Sequence, residues 1–122
     1  MARAKEVIPR RGDVYLVRLD PTVGVEIKKT RPAIVVQNDI SNRAGASTII
    51  VPITSRTREE VYPNETVVPK DESGLRIESI ALARQIRVVD RKRLVHRIGT
   101  ISKETMSALD QALLIALGLV DF

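Results

Sequence analysis

The stretch that decides the fold of this chain is Arg31-Pro32-Ala33-Ile34-Val35-Val36-Gln37, an arginine–proline pair followed at once by an apolar run. A run of β-branched residues of this kind is typical of a strand that is covered on both faces. Proline disfavours helical geometry at the residue before it, so Arg31 should end the preceding polar loop in an extended conformation. We therefore expect a permanent cation at the rim of a barrel, with a buried strand behind it.

Apolar segments of the same kind recur on both sides of this stretch. They predict strands over residues 14–19, 33–37, 48–53, 79–82 and 85–89, an edge strand over 65–68 between two prolines, and a short last strand over 97–100. Turn residues separate them, and Gly24 permits a positive φ in the first connection. We expect residues 38–45 to form a polar connection and residues 91–94 a short connector.

The end of the chain has the pattern of an amphipathic helix over residues 103–117. Ser102 is a good N-cap, Glu104 suits the first turn, and Gly118 suits the position after the last turn. The apolar positions at helical spacing are Met106, Leu109, Leu113, Ala116 and Leu117. The apolar tail over residues 119–122 should dock on another surface.

Many short strands followed by one helix predict a mainly β fold with a C-terminal α-helix. The arrangement suggests a small curled sheet or an SH3-like barrel, and composition does not distinguish this from an OB-like barrel. A length of 122 residues suits one domain, which we assign to residues 11–122 after a basic N-terminal arm over residues 1–10. The core should be aliphatic, because aromatic residues make up only 2% of the chain.

Charge and composition exclude several classes of function. The net charge of +5 and the sequence pI of about 10.0 favour a polyanionic partner. The absence of cysteine excludes disulfides and thiolate catalysis, and a single histidine, His96, excludes sites with several histidines. The carboxylates are scattered without metal-binding spacing, so we expect neither a metal nor another cofactor. No signal peptide or membrane span is visible, which predicts a cytoplasmic protein without a membrane partner.

RNA cleavage is one chemistry that needs no metal, because the 2′-OH of RNA attacks the adjacent phosphorus. The protein must move protons and place donors on the phosphorane oxygens. The arginine fork matches phosphate, and a threonine hydroxyl orients it. Arg31 at the end of its loop and Thr54 at the end of the third strand are the pair to test. Local chemistry leaves open that they are only a solvated cation and a strand-ending hydroxyl.

Six short blocks in a fixed order carry a family resemblance that spans roughly residues 11–122. The blocks are Arg11-Gly12-Asp13-Val14-Tyr15, Gly24-x-Glu26, Arg31-Pro32, Val35-Val36-Gln37-Asn38-Asp39, Pro52-Ile53-Thr54 and Gln85-Ile86-Arg87. Together they resemble the MazF/PemK family of toxin endoribonucleases. The resemblance implies an SH3-like barrel, a homodimer, and metal-independent, sequence-specific cleavage of single-stranded RNA. The products would be a 2′,3′-cyclic phosphate or 3′-phosphate and a 5′-OH. The implied partner is a cognate MazE-like antitoxin, whose acidic tail occupies the RNA groove.

The resemblance also implies roles for individual residues. It assigns catalysis to Arg31 and Thr54 and an auxiliary role to Glu26. Gln85 and Arg87 fall in a matched block and are RNA-binding candidates. The remaining candidates lie in or beside matched blocks or add positive charge to a groove, and they are Lys28, Lys29, Asn38, Ser55, Arg56 and Arg58. For most of these cations a solvated surface is the plainer interpretation.

Two other functions stay open on the sequence. One is a gyrase-binding toxin of the CcdB type, which shares the barrel and acts through its C-terminal residues. The other is a basic barrel that binds RNA without cleaving it. His96 titrates near neutrality but is far in sequence from Arg31 and Thr54, and Tyr15 is better explained as a core residue than as a base-stacking platform.

Overall fold

A computed structural model describes residues 8–71 and 73–121 of the chain. Its fold is an antiparallel β-sheet with one long helix packed on it. The strands are β1 (Asp13–Arg18), β2 (Thr30–Val35), β3 (Ser47–Ser55), β4 (Glu65–Val68), β5 (Ser79–Leu82), β6 (Arg87–Asp90) and β7 (Leu94–Thr100). The helices are α1 (Asp39–Ala44) and α2 (Lys103–Ala116), with a first 3₁₀ turn (Ala83–Gln85) and a second 3₁₀ turn (Arg91–Arg93).

Six of the seven strands follow the order β4-β5-β3-β2-β1-β7, and the seventh, β6, lies off this path and pairs with β3. β3 is the longest strand, and its first half pairs with β6 while its last residues pair with β5. The sheet curls without closing fully, so the molecule is barrel-like. This confirms the prediction of a mainly β fold with a C-terminal helix.

Two aliphatic cores lie on opposite faces of the curled sheet. Val14 and Ile34 face a core shared with Leu109 of α2, whereas Tyr15 and Val17 face the inside of the curl. Neighbouring residues of β1 serve different cores because side chains alternate along a strand. Each fully buried aliphatic side chain contributes about 1.5–3 kcal/mol. Tyr15 is only 4% exposed, so it is a core residue as predicted.

The C-terminal helix forms where the sequence predicts it. The Ser102 hydroxyl accepts a hydrogen bond from the Thr105 amide at 3.1 Å, and Gly118 has a φ of +71°. The prediction of a docked tail is not met within the described residues. Leu119 and Val120 are 67% and 41% exposed, and Phe122 lies outside the described residues.

Two predicted connections contain structure instead. Residues 38–45 hold α1, whose N-cap Asn38 accepts from the Ser41 amide at 2.8 Å. Asn42 of this helix is buried and accepts from the Thr48 hydroxyl at 2.7 Å, so a side-chain network stabilises a helix that has no apolar stripe. Residues 91–94 form the second 3₁₀ turn and the start of β7, which begins three residues earlier than predicted.

Two further sequence expectations concern the ends of the chain and the membrane. Most of the basic arm over residues 1–10 falls on residues 1–7, outside the described part. Neither helix within the ranges 8–71 and 73–121 has the length and apolar character needed to cross a bilayer.

Candidate active site

The register of the sheet brings the two residues that the sequence singles out to the same end of neighbouring strands. The pairing of β2 with β3 ends at Ala33 opposite Pro52, and Arg31 and Thr54 each lie two residues beyond that last pair. Because side chains alternate along a strand, Arg31 lies on the same face as Ala33, and Thr54 lies on the same face as Pro52. Each residue is also held from its other side, since Arg31 is paired with Val17 and Thr54 with Ile80. The fold therefore directs both side chains to one edge of the curled sheet.

Arg31 is half-buried, and no acidic side chain of the described residues neutralises its charge. Its Nε donates to the Lys28 carbonyl at 3.3 Å, and no carboxylate in the described ranges forms an ion pair with it. Thr54, also half-buried, makes no side-chain hydrogen bond to another described residue. A guanidinium and a hydroxyl placed in this way are free to donate to the oxygens of a phosphate group.

A groove of about 350 Å³ lies between the β1–β2 loop, residues 19–29, and the first 3₁₀ turn. The candidates Glu26, Gln85 and Arg87 line it together with Pro52, the residue of β3 two positions before Thr54. Three candidates that lie apart in sequence thus meet in one groove, which reaches β3 at Pro52.

Two of these candidates hold the loop in place. The Gln85 side-chain carbonyl accepts from the Ile27 amide at 2.9 Å, and its amide group donates to the Val25 carbonyl at 3.4 Å. Arg87 donates to the Leu19 carbonyl at 3.1 Å. The amide of Gln85 is therefore occupied by loop backbone, and a contact from Gln85 to an RNA base requires the loop to release it.

The remaining loop candidates are exposed. Glu26 accepts from the Val23 amide at 2.5 Å, which fixes its carboxylate within the turn. Lys28 and Lys29 lie just before Arg31 and form no salt bridge with any described residue. They add positive charge to the approach to the pair.

Other candidates are engaged elsewhere. Arg56 donates to Glu78 at 2.7 Å and to the Arg58 carbonyl at 2.9 Å. Asn38 caps α1 beyond the other end of β2, roughly 20 Å from Arg31 at the rise of an extended chain. Ser55 is adjacent to Thr54 at the end of β3 and is exposed. Only Ser55 of these three is next to the pair.

No sequence motif identified Glu65, which is buried and contacts Arg84 of the groove wall. It accepts two hydrogen bonds from Arg58, at 2.6 and 2.9 Å, one from Arg84 at 3.3 Å and one from the Tyr62 amide at 3.0 Å. Burial acts to raise the pKa of Glu65, but these hydrogen bonds outweigh it and the pKa lies below its usual value. Because Arg84 precedes Gln85, Glu65 helps to position the first 3₁₀ turn. Arg58 is consequently a partner of Glu65.

Neither His96 nor a metal-binding cluster of the described residues lies at the Arg31–Thr54 pair. His96 is exposed on β7, where it is paired with Leu16 across the far side of β1 from β2. The residues that the structure describes contain no group of three or more His, Asp or Glu side chains suited to a metal ion.

Solved structures of toxins share this architecture. MazF (Form-I) from Deinococcus radiodurans matches with a TM-score of 0.79 over 93% of this chain and 99% of that one, and at 22% identity it supports the fold alone. An endoribonuclease from a mycobacterial species, solved in complex with its cognate antitoxin, matches with a TM-score of 0.75 and 27% identity over 93% of this chain and 99% of that one.

Sequence comparison extends this likeness to the family level. The chain is 38% identical over 116 residues to Endoribonuclease EndoA of Bacillus subtilis (strain 168), which covers 95% of this chain and 100% of that protein. The family model that matches, over residues 10–117, describes the PemK-like, MazF-like toxins of type II toxin–antitoxin systems. These matches do not favour the gyrase-binding alternative. The uncommitted Arg31–Thr54 pair thus sits in a chain that belongs to the PemK-like, MazF-like toxin family.

Proposed function

We propose that this chain is a toxin endoribonuclease that cleaves single-stranded RNA at specific short sequences without a metal, with Arg31 and Thr54 as its catalytic residues. The placement of Arg31 and Thr54 at the same end of the neighbouring strands β2 and β3 is the observation that supports these assignments most directly. The relationship to EndoA, which is named an endoribonuclease, supports the reaction class.

The chemistry follows from what the two side chains offer. The 2′-OH of the substrate attacks the adjacent phosphorus while the bond to the 5′-oxygen breaks. The proton of the 2′-OH is removed, and the leaving 5′-oxygen takes up a proton. The products are a 2′,3′-cyclic phosphate, or a 3′-phosphate after hydrolysis, and a 5′-OH. Arg31 donates two N–H groups to the non-bridging oxygens as negative charge develops, and Thr54 donates to the phosphate or orients the 2′-OH.

Residues of the groove and residues next to them in the sequence bind the RNA. Lys28, Lys29 and Arg87 attract the phosphate backbone, while Ser55 and Gln85 offer hydrogen bonds to sugar or base. Glu26 adds a carboxylate to the same groove as an auxiliary polar group. Since Gln85 holds the β1–β2 loop, RNA entry is expected to displace part of that loop.

The biological setting is proposed on the same basis. We propose a homodimer over one toxin domain, residues 11–122, and inhibition by a cognate acidic antitoxin that competes for the basic groove. A related mycobacterial endoribonuclease was solved with its cognate antitoxin, which supports this partner class. A cytoplasmic location suits a messenger RNA substrate.

Mapping RNA ends in the presence of EDTA tests the reaction. The purified protein is incubated with a long defined single-stranded RNA, and the ends are read by 5′-phosphorylation and primer extension. Discrete cuts with 5′-OH ends that persist in EDTA are expected. Cleavage that stops in EDTA, or ends with a 5′-phosphate, would contradict the mechanism. A folded protein that cuts no RNA but poisons gyrase would favour the CcdB-type function.

A further inference from the structure

A second pocket, of about 380 Å³, lies away from the groove, between the second 3₁₀ turn and β7. Tyr15 of β1 contributes to its wall, and Arg91, Lys92 and Arg97 surround it. Leu94, Val95 and His96 complete its lining. None of these residues belongs to the Arg31–Thr54 pair or to the groove.

The pocket contains buried donors that nothing in the described residues satisfies. Tyr15 is 4% exposed and its hydroxyl has no hydrogen-bond partner there. The Nε and Nη2 atoms of Arg91 are likewise buried and unpaired. Buried polar groups are nearly always hydrogen-bonded, and an unpaired buried guanidinium is especially costly. A ligand with acceptor oxygens would remove that cost.

The nearby carboxylates are already used elsewhere. Asp13 accepts from Arg97 Nε at 3.1 Å and from the Arg10 amide at 2.9 Å. Asp90 accepts from the Lys92 amide at 2.8 Å. No described carboxylate accepts from the Arg91 Nε–Nη2 edge or from the Tyr15 hydroxyl, and because these atoms are buried, the side chains must shift to reach an external anion. Burial raises the pKa of Tyr15, with Asp13 adding to the effect, so the phenol stays protonated and able to donate.

We propose that this pocket binds a phosphodiester group of the RNA substrate, with Arg91 Nε and Nη2 donating to its two non-bridging oxygens and the Tyr15 hydroxyl donating to one of the same oxygens. The Nε–Nη2 edge of arginine is the pair of parallel donors that matches phosphate. The exposed Lys92 adds positive charge at the mouth of the pocket. The choice of RNA rests on the proposed function.

The position of the pocket fits one RNA strand that also reaches the groove. Arg18 donates to the Lys92 carbonyl at 2.7 Å, and Arg93 donates to the Arg18 carbonyl at 3.0 Å and to the Asp20 carbonyl. These bonds dock the second 3₁₀ turn onto the base of the β1–β2 loop, while Arg87 holds Leu19 from the groove side. The groove and the pocket therefore flank the same loop.

Binding of a non-cleavable oligonucleotide tests this assignment apart from catalysis. The probe is a fluorescent, single-stranded 2′-O-methyl oligonucleotide, and its affinity is measured by anisotropy across a salt series. Arg91→Gln should weaken binding about tenfold or more and lower the log–log salt slope by about 0.7. Tyr15→Phe, which removes a neutral donor, should weaken binding less and leave the slope unchanged. Lys103→Gln, an exposed cation at the start of α2, is the matched control and should change neither.

A second variant separates a loss of RNA binding from a loss of folding. Arg91→Lys keeps the charge but loses the fork, so it should lose affinity while retaining the salt slope, and thermal unfolding shows whether each variant is folded. Folded Arg91→Gln protein with unchanged affinity and slope would overturn the proposal. So would a variant that binds RNA normally but loses affinity for a polyglutamate peptide, because the pocket would then serve an acidic protein. Wild-type protein that binds the probe through Arg91 but never cleaves RNA would refute the nuclease function and leave the pocket standing.

Discussion

Glu65 shows how one residue supports the site without touching the substrate. Its buried carboxylate joins Arg58, Arg84 and the Tyr62 backbone. Glu65→Gln removes the charge and leaves its donors poorly paired, so we expect a loss of roughly 1–3 kcal/mol in the free energy of unfolding. Urea unfolding at neutral pH measures it. Glu78→Gln, which breaks the exposed pair with Arg56, is the control and should cost less than about 1 kcal/mol. Equal losses in the two variants would contradict the role of Glu65.

The pKa of Glu65 makes this contribution depend on pH. Because the pKa is lower in the folded protein than in the unfolded chain, ionised Glu65 stabilises the fold above its unfolded pKa of about 4.3. That stabilisation is lost as pH falls through the lower folded value. The stability gap between wild type and Glu65→Gln should therefore shrink from pH 6 to pH 3. Asp39 also has a lowered pKa, but it is present in both proteins and cancels in the difference. A constant gap would be inconsistent with the lowered pKa.

At the scale of elements, the β1–β2 loop depends on a single side chain for part of its position. Gln85→Ala removes the acceptor of the Ile27 amide and the donor to the Val25 carbonyl. Since one such hydrogen bond contributes about 0.5–1.5 kcal/mol, amide exchange at Ile27 should accelerate roughly two- to tenfold. Hydrogen exchange followed by NMR measures it. Gln111→Ala on the exposed side of α2 should leave Ile27 unchanged, and an unchanged rate in Gln85→Ala would show that the loop is held by other contacts.

The strands and the helix that the sequence predicted are those marked by a pattern of apolar residues within the element itself. The β-branched run after Arg31 and the 3.6-residue spacing before Gly118 both identify the element that forms. α1 escaped prediction because its stability comes from Asn42, whose partner Thr48 lies in the next strand. The second 3₁₀ turn escaped for a similar reason, since its contacts run to Arg18 and Asp20. Local pattern does not encode such long-range hydrogen bonds.

At the scale of the whole molecule, the sequence motifs predicted only part of the candidate site. The motifs singled out Arg31 and Thr54, and their common position two residues beyond the last pair of β2 and β3 follows only from the register. Charge alone did not separate cations that face the groove from those that hold the fold. Arg56 pairs with Glu78, 22 residues along the chain, and Arg58 pairs with Glu65, seven residues along and in the next strand, so local charge does not show either pair. The Arg91–Tyr15 pocket was hidden for the same reason.

The assignment of catalysis to Arg31 and Thr54 is tested by single-turnover cleavage of one defined RNA. The proteins compared are wild type, Arg31→Ala, Thr54→Ala and the double variant. If the two side chains act together on one phosphate, each single change should slow cleavage by about 10²–10³. The double variant should then be little slower than the slower single variant, because residues that act as a unit are not additive. Urea unfolding controls for the fold. An Arg31→Ala protein that cuts the same sites at the wild-type rate would contradict the account.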